Sequence, residues 1–165
     1  MSDREKWAYL AAIPEIDARH PAIVRLAAGC LELGAGDRRR ALIIAHAVAG
    51  RAIRYQLDTP RTGGEDIAGL TRPPQPDDAI DAWRRGVDDC DAKARLFVAL
   101  ALNLKFKARM APIWSSTQPD KLEHVFAQVF SGSAWLDVEV TLARAVIGEY
   151  PRRIPKEENG KWLET

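Results

Sequence analysis

Apolar side chains first recur at helical spacing from Pro21, at Ile23, Val24, Leu26, Ala27, Cys30 and Leu31. Pro21 suits a first helical position, where its missing N–H has no partner to lose, and Gly34 suits the stop. Asp37 offers a capping oxygen to a second helix reaching about residue 53, with Ala41, Ile44, Ala45, Val48, Ala49 and Ala52 along one face. The period then lapses. Residues 58–78 contain Pro60, Gly63, Gly64, Gly69, Pro73, Pro74 and Pro76 and few large apolar side chains, which predicts a long loop of the kind that often carries function. Helical spacing returns from about Asp91, where Ala94, Phe97, Val98, Ala101 and Leu102 share a face, with Leu100 and Leu104 beside it. An extended run over 107–114 follows. Two alternating segments, 124–130 and 134–140, then flank Ser131-Gly132-Ser133 as a hairpin.

Helices first and a small antiparallel sheet last make an α+β fold. The length of 165 residues predicts one domain, with a core over about 37–151 and a charged surface tail over 152–165. Composition changes this picture little: 47% of positions are apolar, enough for one core. The formal charge of +1 supplies no basic field for non-specific nucleic-acid or anionic-membrane binding. Arg38-Arg39-Arg40 reads as a solvated helix face. No apolar run approaches the roughly 20 residues that span a bilayer, and MSDREKWAYL lacks the layout of a secretory signal. These features predict a cytoplasmic chain with no membrane or nucleic-acid partner.

Candidate chemistry centres on the two cysteines. Cys30 lies on an apolar helical stripe and reads as a core thiol. Cys90 follows Gly86-Val87-Asp88-Asp89 and directly precedes the later helix, where unpaired amides and the positive dipole end favour thiolate. The adjacent acids oppose this unless paired, so Asp91 is expected to cap the helix or pair with Lys93, Arg95 or Arg109. A reactive thiol needs a base and an acceptor that orients it. Of three histidines, His20 precedes Pro21, His46 is mid-helix and His124 opens a strand. A turn at Ser131-Gly132 sets Val125, Ala127 and Val129 opposite Val138, Leu136 and Ala134. On the other face it sets His124 opposite Glu139 and Phe126 opposite Asp137. A turn at Gly132-Ser133 shifts each pairing by two residues and keeps the same faces. The first arrangement places a carboxylate directly across from the imidazole. A zinc site would lack any CxxC-type spacing, so no metal is expected.

The pattern resembles the transglutaminase-like superfamily of papain-like fold, most closely its short phage and bacterial members, over residues 53–151. The resemblance is carried by Asp89-Cys90-Asp91-Ala92-Lys93-Ala94 entering an apolar helix, then Phe106-Lys107-Ala108-Arg109, the strand from His124 to Val129, Trp135-Leu136-Asp137-Val138-Glu139-Val140-Thr141, and the ending from Gly148 to Pro151. It implies a Cys-bearing central helix on a small antiparallel sheet. It assigns Cys90 as nucleophile, His124 as base and Glu139, in place of the usual Asp, as orienting acid, with Asp137 as rival. The implied reaction is acyl transfer through a thioester, as a peptidase, amidase or transglutaminase, without a cofactor. The oxyanion would be held by the Cys90 amide and one loop donor, Gln75 or Trp83. Expected partners are protein or peptide substrates, with phage structural proteins as candidates and a virion-associated location as a corollary. Asp88 in place of the family's Gly and Glu139 in place of Asp motivate the alternative, an idle module with a structural role in phage assembly. An acyltransferase using a large cofactor would need a cleft for which this chain leaves little sequence.

Overall fold

The computed structural model describes residues 2–55, 78–142 and 145–148, together with the backbone of 157–158 and 161–162. Gln75 and all but the last residue of the expected 58–78 loop lie outside the described residues.

Three helices lead the chain. α1 (Asp3–Asp17) opens on a capping box, in which Ser2 Oγ accepts from the Glu5 amide at 3.3 Å and the Glu5 carboxylate accepts from the Ser2 amide at 2.6 Å. α2 (Pro21–Leu33) has Pro21 at its start, with His20 Nδ1 accepting from the Ala22 amide at 3.1 Å, and ends at Gly34. α3 (Arg38–Ala52) begins on Asp37, whose carboxylate accepts from the Arg39 and Arg40 amides at 2.8 and 3.2 Å. Ile23, Ala27 and Cys30 of α2 belong to the hydrophobic core.

β1 (Arg54–Tyr55), α4 (Asp78–Arg85) and β2 (Val87–Asp88) come next, with β1 and β2 paired in parallel. The sequence pattern reveals none of the three. Two-residue strands show no alternation, and α4 is only two turns long. Gly86 ends α4 with a positive φ of 69°, and its amide donates to the Ala82 carbonyl at 2.9 Å.

α5 (Cys90–Asn103) is the centre of the molecule. Every residue from Ala92 to Ala101 is buried, so the helix is covered on all sides. α1, α2, α3 and α4 surround it, and a sheet covers what remains. The sequence predicts one apolar face. The other sides also bury because the polar positions have partners, notably Arg95, whose guanidinium pairs with Asp17 of α1 at 3.0 Å in full burial.

The sheet contains β3 (Ala108–Trp114), β4 (Leu122–Phe130) and β5 (Trp135–Val138), antiparallel in that order. The fold is thus α+β, helices packed on a small three-stranded antiparallel sheet. Two short strands, β6 (Glu157–Glu158) and β7 (Lys161–Trp162), pair within the expected tail. Among the described residues no helix is long and apolar enough to cross a membrane.

The β4–β5 register corrects one expectation. The ladder pairs Phe130 with Trp135, Gln128 with Asp137 and Ala127 with Val138, and the Ser131 amide donates to the Ala134 carbonyl at 2.8 Å. The turn is therefore Gly132-Ser133, and Glu139 does not lie opposite His124. Gly132 has a φ of 105°. Hairpin turns want positive φ at their first central residue, which suits Gly132; the other turn would force it on Ser131. The apolar face is the same in either register: Val125, Ala127, Val129, Val138 and Val140 join the core.

The α2–α3 turn generates a test. A Cβ at Gly34 would sit 2.9 Å from the Ala41 nitrogen and 3.0 Å from the Asp37 carbonyl oxygen, both backbone atoms that cannot yield cheaply. Gly34→Ala is expected to lower stability by about 1–3 kcal/mol in urea unfolding, as overpacking does. Gly29→Ala, whose Cβ meets nothing within 4 Å, is expected to gain up to about 1 kcal/mol from helix propensity.

Candidate active site

Cys90 is the first residue of α5. Asp89 is the N-cap, its carboxylate accepting from the Asp91 amide at 3.1 Å, while Asp91 accepts from the Ala92 amide at 2.7 Å. The cap is therefore Asp89 and not Asp91. The cations proposed for Asp91 are engaged elsewhere: Lys93 on the Gly50 and Ile53 carbonyls, Arg95 on Asp17, and Arg109 on Gln128 and over the Trp135 ring.

The Cys90 thiol is half-buried and hydrogen-bonds to the Val125 backbone N–H of β4. Burial pushes it well above the ordinary thiol range, and the charges of Asp89, Asp91 and Glu139 add to the rise. Only the Val125 amide opposes them. This rise is the reverse of what the helix-terminal position alone predicts. Cys30 is fully buried in the core, and burial raises its thiol as well.

His124 and Glu139, 3% and 1% exposed, are brought together: His124 Nε2 and Glu139 Oε2 are 2.7 Å apart. The other carboxylate oxygen accepts from the Thr141 amide at 2.6 Å and from the Thr141 hydroxyl at 2.5 Å. Burial raises the Glu139 pKa, but the His124 hydrogen bond and charge, with both Thr141 donors, outweigh it and hold the carboxyl below its usual range. With Nε2 occupied by Glu139, Nδ1 is the ring nitrogen that the acid leaves unengaged. His124 and Val125 are neighbours on β4, so one strand supplies both the imidazole and the amide that meets the sulfur.

The rival acid is placed elsewhere. Asp137 lies opposite Gln128 and accepts from its side-chain amide at 2.7 Å. Trp83 sits on α4, half-buried and packed on the core. Two residues not expected beside the acid bear on it. His46 of α3 bonds through Nε2 to the Glu139 carbonyl oxygen at 2.7 Å, and its ring meets Phe97 edge-on. Lys93 is a buried cation that interacts with the charge of Glu139. A lysine inside the run Ala92–Ala101 was the visible signal for it; nothing in the sequence marked His46.

Carboxylate oxygens of Asp88, Asp89 and Asp91 approach within 4.8 Å of one another, the one metal-ligand-type cluster among the described residues. Each already accepts a backbone amide, and Asp88 also pairs with Arg85 at 2.7 Å.

The held-down Glu139 carboxyl sets a pH dependence. Its folded pKa lies below the unfolded value near 4.5, so its stabilisation is complete above that value and is lost as pH falls through the lower one. Urea unfolding of wild type and Glu139→Gln is expected to show a stability gap that is constant at neutral pH and narrows on acidification below about 4.5. A gap that does not change with pH would mean that the carboxyl is not ionised in the folded protein.

The chain matches no family model, no curated protein and no solved structure.

Proposed function

We propose that this protein is a transglutaminase-like cysteine enzyme of papain-like fold that transfers acyl groups through a Cys90 thioester. The observation that carries the reading is the buried His124 Nε2–Glu139 hydrogen bond, formed one residue from the amide that meets the Cys90 sulfur. A nucleophile at a helix start, a base on the facing strand and an acid orienting the base form the arrangement that this chemistry needs.

The electrostatics dictate the order of events. The thiol is neutral at rest, since burial and Asp89 and Asp91 hold its proton on. The proton therefore moves to His124 Nδ1 as sulfur bonds to the acyl carbon of a protein or peptide amide. The Cys90 amide, at the first helical position, donates to the developing oxyanion. Collapse breaks the C–N bond, and the leaving amine departs with the proton from His124. Water or a second amine then attacks the thioester, giving up its proton through His124 and regenerating the thiol. Glu139 keeps Nδ1 turned toward sulfur and stabilises the transient imidazolium. Phage structural proteins remain candidate substrates.

The raised thiol favours a second reading, an idle module of the same fold with a structural or interaction role, because such a thiol reacts only in alkaline solution. Alkylation of Cys90 by iodoacetamide, followed by mass spectrometry, separates the two. The enzyme reading expects Glu139→Gln to slow Cys90 alkylation by about tenfold or more, the cost of losing a base's orientation, and Asp137→Asn to change it less than about twofold. Indifference to Glu139→Gln supports the idle module. Ammonia release from glutamine-containing proteins, with and without incorporation of a labelled amine and with Cys90→Ala as blank, then divides transfer from hydrolysis.

A further inference from the structure

The ladder between β4 and β5 ends at the Ala127–Val138 pair, so Glu139 stands just beyond the last residue that the sheet holds. Its carboxylate must nevertheless meet His124 at 2.7 Å. Thr141 bonds the other carboxylate oxygen, but it belongs to the same stretch of chain and fixes the side chain only relative to its own backbone. Val140 is buried among apolar neighbours, and apolar burial sets depth without setting direction.

His46 of α3 supplies a directional hold. Its Nε2 lies 2.7 Å from the Glu139 carbonyl oxygen. A carbonyl only accepts, so this hydrogen bond requires the proton on His46 Nε2. The ring meets Phe97 edge-on, with centroids 6.2 Å apart and planes at 84°. Phe97 is fully buried and lies two turns beyond Cys90 on α5. One turn after His46, a Cβ at Gly50 would stand 3.6 Å from the Val140 carbonyl oxygen, so α3 runs close against the chain that carries the acid. His46 therefore joins α3, the helix of the thiol and the main chain of the acid. An apolar side chain at 46 could still pack on Phe97, but it would leave the Glu139 carbonyl without this donor.

We propose that His46 is a positioning residue for the acid: its Nε2–H anchors the main chain at Glu139, where the ladder has ended, and so sets the carboxylate against His124. The role in reactivity rests on the triad reading; the anchor is a property of the folded chain whatever it catalyses. Without the donor, the chain past Val138 keeps its apolar burial but loses its direction, and the hydrogen bond between Glu139 and His124 opens. The base proposed for Cys90 is then no longer oriented.

The direct test observes the His124 Nε2 proton by NMR in the wild-type protein, H46M, H46Q and Gly34→Ala. In wild type the resonance is expected far downfield and slow to exchange, as for a short buried hydrogen bond to a carboxylate. H46M, which removes the donor, is expected to move it upfield or broaden it away. H46Q, whose side-chain amide donates from a similar reach, is expected to restore it. Gly34→Ala is destabilising but sits in the α2–α3 turn, and is expected to leave the resonance in place. An unchanged resonance in H46M, or its loss in H46Q or Gly34→Ala as fully as in H46M, overturns the proposal. The second arm measures Cys90 alkylation. H46M is expected to slow it about tenfold beside native Glu139, the cost of a displaced catalytic group. In the E139Q background the slowing is expected to be less than about twofold, because both residues act through one carboxylate. Equal slowing in both backgrounds, or none where E139Q itself slows alkylation, overturns the positioning role. If H46M does not fold, the wild-type protein decides: a His46 proton on Nε2 that resists exchange supports the anchor, and one on Nδ1 alone overturns it. Failure of the triad reading registers separately, as alkylation indifferent to E139Q while the His124 resonance still follows the His46 donor.

Discussion

A carboxylate with 1% of its surface exposed must be held by donors and charge, and Glu139 imposes that demand on every element near it. One oxygen takes His124, the other takes both donors of Thr141, and its own carbonyl takes His46. β4 supplies the imidazole, the chain just past β5 supplies the hydroxyl and amide, and α3 supplies the second histidine. The anion therefore ties His124 to the chain past β5, and the main-chain carbonyl of the same residue ties that chain to α3.

α5 is the other constraint. A helix buried along ten consecutive residues can keep charged side chains only where each finds a partner, and it does so twice: Arg95 with Asp17, and Lys93 with two carbonyls of α3. Its N-terminus is under opposed influences. Backbone amides and the dipole favour a thiolate at Cys90, while desolvation and the carboxylates of Asp89, Asp91 and Glu139 favour the thiol. The thiol wins. In the proposed reaction a preformed ion pair is therefore not the starting state, and His124 must act as a base during attack.

What could be read from the sequence was what local chemistry specifies. Asp37, Pro21 and Gly34 delimit α2 and α3 because caps and stops depend on a few adjacent atoms. The alternation around Ser-Gly-Ser gives the hairpin and its apolar face for the same reason. α4 and the β1–β2 pair escaped because they are held by packing and not by their own pattern. Asp89 and Asp91 are both good caps, and only backbone geometry chooses between them. The contacts of His46 and Lys93 were hidden because they join α3 to the chain just past β5 and to α5, between residues some forty to ninety positions apart.

The register explains the length of the acid. With Ala127 opposite Val138, the position of Glu139 continues the ladder opposite Phe126, so His124 lies on the diagonal. Diagonal Cβ atoms are about 7–8 Å apart, against about 5 Å for directly opposed ones. Glu139 nevertheless closes to 2.7 Å from the imidazole. Its extra methylene spans the diagonal, and the two Thr141 donors remove the freedom of the added bond by clamping the far oxygen. Asp137 is on the same face but one pair nearer the turn, where Gln128 takes it. A glutamate at 139, and not an aspartate, is therefore the acid whose length this register requires if it is to reach the imidazole of His124.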